Sequence, residues 1–177
     1  MNIDVVVKMT SRAWNLPILK AFYDGVPGRQ APLLAATGAG RTAFAQSLDH
    51  LIQNGLIERN PGYGHPLRPE FRLTKAGVKA AEIAHKIRSA NREDGDPLIR
   101  RSWTIPVLAT LQTPLQFSGI KRQLGPITDR ALSQSLKALE ERTWVKRNLI
   151  PELRPPRPIY AASGTGKRIA DVFELDR

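Results

Sequence analysis

Apolar residues along this chain recur mostly at helical spacing. Trp14, Ile18, Leu19 and Phe22 fall on one face of a helix. "GVPGR" at 25–29 breaks that helix, and "QAPLLAAT" at 30–37 predicts a short second one. After Arg41, the residues Phe44, Leu48, Leu51 and Ile52 lie at i, i+4, i+7 and i+8, the buried stripe of a third helix. Asn54-Gly55 ends it, and Gly55 suits the left-handed position that follows a helix. "LIERN" predicts a short strand, "PGYGHPLRP" a Pro/Gly-rich loop and "EFRL" the returning strand. Thr74 is placed to cap a fourth helix from Lys75 towards Ile87, with Val78, Ala81, Ala84 and Ile87 on one face.

The same order returns later in the chain. "SRAWNLPILKAF" reappears as "IRRSWTIPVLATL", with Trp14 matched by Trp103 at an offset of 89. "AFAQSLDHLIQNGLIERN" reappears as "ALSQSLKALEERTWVKRN", with Gln46 matched by Gln134 at an offset of 88. "PLRPEFRLTKAG" reappears as "PPRPIYAASGTG", with Gly77 matched by Gly166. Three blocks in one order read as two copies of one unit, residues 1–92 and 93–177, joined by a polar linker at about 89–98. In the second copy Trp103, Val107, Leu108 and Leu111 mark the first helix, and Ser118 is placed to cap the second, "GIKRQL". Leu132, Leu136 and Leu139 form the stripe of the third, and "WVKRN" and "PIYAA" are strands around "LIPELRPPR". Helix–helix–helix–strand–wing–strand–helix predicts a winged helix-turn-helix. The expected class is mainly α with small β wings (α+β), as two tandem winged helix-turn-helix domains.

Composition sharpens this. Hydrophobic residues make up 41% of the 177, enough for one ordinary domain or two small ones. Lys and Arg number 27 against 16 Asp and Glu, a formal charge of +11, which favours a polyanionic partner. Both copies share the excess, with 13 basic and 6 acidic side chains in residues 1–92 and 14 and 10 in 93–177. These cations are dispersed over turns and wings and do not line one amphipathic helix, so nucleic acid is favoured over a membrane surface. The absence of cysteine excludes disulfides, thiol chemistry and cysteine zinc sites. No stretch reaches transmembrane length, and the opening residues hold only the short apolar run Val5–Val7, so the chain reads as soluble and cytoplasmic. The three histidines, His50, His65 and His85, lack spaced carboxylate partners, so no catalytic residues, metal or cofactor are expected. "GAGRTA" at 38–43 fits a dinucleotide fingerprint, but that motif requires a preceding strand, and "QAPLLAAT" reads as helix. The second copy keeps only Gly125 of the pattern. Gly38 and Gly40 therefore read as the turn before a helix that opens with Arg41-Thr42.

The second copy resembles the HxlR family of winged-helix transcription regulators, itself similar to a wider MarR-like group. The likeness rests on Trp103, on "ITDRALSQSLKALEE", and on a Pro- and Arg-containing wing closing on the Tyr160 strand. The first copy matches more loosely. Departures are the doubled unit, Thr143-Trp144 in place of the usual Gly-Leu, and the missing cysteine that some members use as a sensor. The resemblance implies sequence-specific binding of double-stranded DNA at two half-sites. Such binding is expected from an intramolecular pseudo-dimer or a homodimer, with no effector indicated.

Placing the third helices in the major groove nominates Thr128, Arg130, Ser133, Gln134 and Lys137 in the second copy. In the first copy it nominates Arg41, Thr42 and Gln46, with Asp49 and His50 beside them. The wings contribute Arg59, His65 and Arg68, and Lys146, Arg147, Arg154 and Arg157, for the backbone or minor groove. Each arginine has a plainer reading as a solvated side chain, and Arg68 and Arg157 as wing ion pairs. The competing function is a tandem winged-helix scaffold for proteins, or a replication-initiator-type module. A scaffold has no need of the +11 charge.

Overall fold

The computed structural model describes residues 2–60, 69–91, 96–150 and 157–173. Its elements begin with α1 (Ile3–Thr10), α2 (Asn15–Tyr23), α3 (Gln30–Thr37), α4 (Arg41–Gln53), β1 (Ile57–Arg59), β2 (Phe71–Leu73) and α5 (Lys75–Ala90). A 3-10 turn at Pro97–Arg100 leads to α6 (Thr104–Thr110), β3 (Leu115–Gln116), α7 (Phe117–Leu124) and α8 (Asp129–Glu141). Then come β4 (Val145–Ile150), β5 (Arg157–Ala162) and α9 (Gly164–Asp171). The class is mainly helical with small antiparallel sheets, as the pattern predicts. Among the described residues no helix is long and apolar enough to cross a membrane.

The chain divides into two compact units, Ser11–Lys86 and Met1–Thr10 with Ile87–Arg177. This corrects a single cut between residues 92 and 93. The opening residues form a helix, α1, whose Val6 and Met9 are buried and which packs against α6. Thr10 Oγ1 donates to the Ser102 carbonyl at 3.0 Å. The end of α5 is held in the same unit, where Arg168 Nε donates to the Ala90 carbonyl at 3.0 Å. The expected linker is thus helical to Ala90, and part of it, residues 92–95, lies outside the described residues.

In the N-terminal unit, Leu16, Ile18 and Leu19 of α2 are buried with Leu33 of α3 and Phe44, Leu48 and Leu51 of α4. Gly38 takes the left-handed conformation (φ 67°) that ends α3, so "GAGRTA" follows a helix and lacks the strand a dinucleotide site requires. β1 pairs antiparallel with β2, placing Glu58 opposite Arg72, and Arg72 Nε bonds Glu58 Oε1 at 2.6 Å. Thr74 Oγ1 accepts from Gly77 N at 3.0 Å, the expected cap of α5.

In the C-terminal unit every residue of α6 is buried, because α1, α7, α8 and α9 surround it. Leu132, Leu136 and Leu139 turn the inner face of α8 into the core. β5 is central in a three-stranded sheet of order β3-β5-β4, running from Val145↔Ala162 to Ile150↔Arg157. β3 is an added strand: Gln116↔Ile159 extends the expected hairpin to three strands. Ser118 is not the cap of α7. The helix starts one turn position earlier, at Phe117 after Gln116, because the strand pairing delivers extended backbone there.

Local details coincide between the units. Trp14 and Trp103 are the N-cap residues of α2 and α6, both half-buried. The bridge Arg29↔Glu70 stands where Gln116↔Ile159 stands in the other unit. Thr74 N donates to the Leu56 carbonyl and Ser163 N to the Trp144 carbonyl, at 3.1 and 2.8 Å. A Cβ on Gly77 would overlap the Leu56 carbonyl oxygen, and one on Gly166 the Trp144 carbonyl oxygen. Only glycine admits these close approaches.

Candidate nucleic-acid interface

α8 is amphipathic in a way that fixes its outward side chains. With Leu132, Leu136 and Leu139 inward, Arg130, Ser133, Gln134 and Lys137 fall at i, i+3, i+4 and i+7 on the opposite face, all exposed. Thr128 is the N-cap, and its Oγ1 accepts from Ala131 N at 3.2 Å, which leaves its hydroxyl proton to donate outward. Asp129, the acid of the first turn, pairs with Lys121 of α7 at 2.5 Å, so its charge is locally offset. Lys137 stands 4.0 Å from Glu141, yet its side chain is 80% exposed, and so solvated a pair holds the lysine weakly. At the far end Arg142 reaches Asp96 Oδ2 at 3.5 Å, while the other oxygen of this buried carboxylate caps Leu98 N at 2.8 Å. A cation there also complements the helix dipole, so the C-terminus of α8 is anchored to the 3-10 turn.

α4 presents Arg41, Thr42, Gln46 and Asp49, all exposed. His50 does not join them. Its ring is half-buried within its unit, with Nε2 3.0 Å from Ser11 Oγ and Nδ1 3.1 Å from Asn15 Nδ2. An amide N–H can only donate, so Nδ1 accepts and the proton sits on Nε2, facing Ser11. Burial, with the Arg12 guanidinium adding to it, holds this imidazole below its ordinary pKa.

The hairpins carry exposed cations. Arg59 ends β1 exposed, while Arg72 beside it is engaged by Glu58. Val145 of β4 is buried, and then Lys146, Arg147, Asn148 and Leu149 are all exposed, so the strand leaves the core and presents both faces to solvent. Arg157, exposed, begins β5 opposite Ile150. His65, Arg68 and Arg154 lie outside the described residues. Sequence reasoning passed over Arg29, exposed at the N-cap of α3. The repeat offset could have drawn attention to it, because Gln116 holds the same place before α7.

Residues 98–175 match the model of the HxlR-like helix-turn-helix family. An HTH-type transcriptional regulator of Halalkalibacterium halodurans is 33% identical over 79 residues, 44% of this chain and 69% of that protein. YvaP of Bacillus subtilis, also described as an HTH-type transcriptional regulator, is 36% identical over 78 residues, 44% of this chain and 71% of YvaP. The chain belongs to the HxlR-like helix-turn-helix family. Another HTH-type transcriptional regulator, from Methanothermobacter thermautotrophicus, is 36% identical over 73 residues, and this chain spans 55% of its length. A solved structure, described as a putative transcriptional regulator of the MarR family from Porphyromonas gingivalis W83, aligns at a TM-score of 0.40 and 22% identity. It covers 44% of this chain and 76% of that one. The HxlR-like segment takes in α6 to α9, so the family match falls within the C-terminal unit, and α8 is the third helix of its helix-turn-helix.

Proposed function

We propose that this HxlR-like chain is a sequence-specific regulator of transcription that binds double-stranded DNA through two winged helix-turn-helix units and catalyses no reaction. α8 and α4 enter the major groove, and the β4–β5 and β1–β2 hairpins track the backbone or minor groove. The observation that carries the reading is the outward face of α8. Arg130, Ser133, Gln134 and Lys137 line up opposite the buried leucine stripe, inside the family-matched segment of a chain with charge +11. An α-helix fits the major groove, Arg matches the guanine edge and Gln the adenine edge. The element order of the N-terminal unit and its shared capping and close-approach details support reading it as a second unit of the same kind. The working species is then an intramolecular pseudo-dimer or a homodimer.

The test is selection from random DNA with the purified chain, followed by affinity measurements on the enriched site. Arg130→Ala should cost about 1–3 kcal/mol on that site and relax the preference at one base pair. If the chain enriches no sequence, the DNA reading fails and a protein-binding scaffold takes its place.

A further inference from the structure

The N-terminal unit holds a cavity of about 640 Å³, within the span of small-molecule sites. It opens beside the start of α3 and the first turn of α4, and among the described residues its wall is mixed. Pro32, Leu34 and Pro69 are apolar, with the buried Phe44 behind them, while Arg29 and Arg41 bring two guanidinium groups to the same space. The described lining contains no carboxylate. The acid nearest in the backbone pairing, Glu70, bridges Arg29 through the main chain, while its Oε2 accepts from Asn60 Nδ2 at 3.1 Å. Two cations placed beside apolar surface complement an anion that brings an apolar body of its own. A bare inorganic anion would use the cations and leave the walls wet. An uncharged hydrocarbon would use the walls and leave the cations without a partner.

We propose that this cavity binds a small amphipathic anion, an apolar ring system bearing a carboxylate or similar headgroup, with the headgroup on Arg29 and Arg41 and the rings against Pro32, Leu34 and Pro69. One consequence rests on the DNA-binding reading above. Arg41 is also a nominated groove residue, so an occupied cavity and bound DNA compete for it.

The test titrates the full chain with 2-naphthoate, followed by backbone amide NMR in the absence of DNA. The amides of 29–34 and 41–44 should shift together. Uncharged 2-naphthalenemethanol and inorganic phosphate should each bind at least about tenfold more weakly, because each supplies half of the complementarity. Arg29→Ala and Arg41→Ala change exposed side chains and should each weaken naphthoate about tenfold, whereas Arg130→Ala, in the other unit, should leave it unchanged. The site is overturned by shifts elsewhere, by no shifts, or by equal binding of the alcohol or of phosphate. Naphthoate binding at these amides without loss of DNA affinity supports the site and removes the competition. A chain that selects no DNA leaves this measurement as it stands, since the titration is made on free protein.

Discussion

At the scale of single residues, Thr143 stands out. Among the described residues it is the one non-glycine with positive φ, at 58°. Its counterpart after α4 is Gly55, at φ 68°. Both residues turn the chain out of the third helix into the first wing strand, and both offer their carbonyl to the hydroxyl that opens the last helix. Thr74 Oγ1 donates to Gly55 O, and Ser163 Oγ to Thr143 O, each at 2.6 Å. The left-handed region costs an L-residue about 1–2 kcal/mol, and a β-branched side chain is poorly suited to it. Thr143→Gly keeps every backbone bond and should stabilise the C-terminal unit by about 1 kcal/mol after the added freedom of the unfolded chain is counted. Thermal unfolding should then rise by about 2–4 °C, and a fall would show that the Thr143 hydroxyl, bonded to the Arg142 carbonyl at 2.6 Å, outweighs the backbone strain. The sequence showed Thr143-Trp144 as a departure from its family, and the backbone geometry gives that departure a physical cost.

At the scale of elements, what was legible depended on whether the apolar pattern was decided locally. The stripes of α4 and α8 were, since Phe44, Leu48 and Leu51, and Leu132, Leu136 and Leu139, repeat at helical spacing and are all buried. The outward faces follow from the stripes by elimination, which is why Arg130, Gln134 and Lys137 were nominated and are exposed. β3 was not legible, because two residues carry no period and their extended form comes from pairing with β5. α1 was missed although its signal was present. Ile3, Val6, Val7 and Thr10 fall at i, i+3, i+4 and i+7, with Asp4 in the first turn and Lys8 in the last. Three consecutive valines drew attention away from that face. Met9, fully buried, is the sharper test: Met9→Ala should cost about 2–5 kcal/mol in thermal or urea unfolding of the full chain. A cost near zero would mean that α1 is not docked in solution.

His50 gives α4 its own pH dependence. Its imidazole is held below the ordinary value of 6.5 by burial first and the Arg12 charge second. The unfolded chain therefore binds this proton more readily than the folded one. The resulting stability is fully present above pH 6.5 and is lost as pH falls through the depressed folded value. The bonds explain why protonation is resisted: Nδ1 accepts from Asn15, and a proton there would face a donor. Unfolding of the N-terminal unit should occur at lower temperature at pH 5 than at pH 7.5, and His50→Gln should flatten that slope. An unchanged slope in the variant would assign the acid sensitivity to other groups.

At the scale of the whole molecule, the two nominated reading faces are alike in one place and opposed in others. Gln46 and Gln134 correspond, and both are exposed. At matching positions around them Arg41 stands for Asp129, Thr42 for Arg130 and Asp49 for Lys137. Gln reads adenine, Arg and Lys read guanine, and Asp accepts from the amino group of cytosine. A chain using both faces should therefore select a bipartite site whose halves share an adenine and differ beside it. Gln46→Ala and Gln134→Ala should each relax one half and leave the other as it was, at about 1–3 kcal/mol apiece. Phosphate contacts act differently from these readers. Lys146→Ala should weaken all sequences about equally and reduce the salt dependence of log K by about one charge. Footprinting and mass measurement of the complex decide between arrangements. One chain on two unlike half-sites is the expected result. A perfect palindrome carrying two chains, in which Gln46→Ala changes nothing, would leave α8 as the sole reader and α4 as a helix of the same shape put to other use.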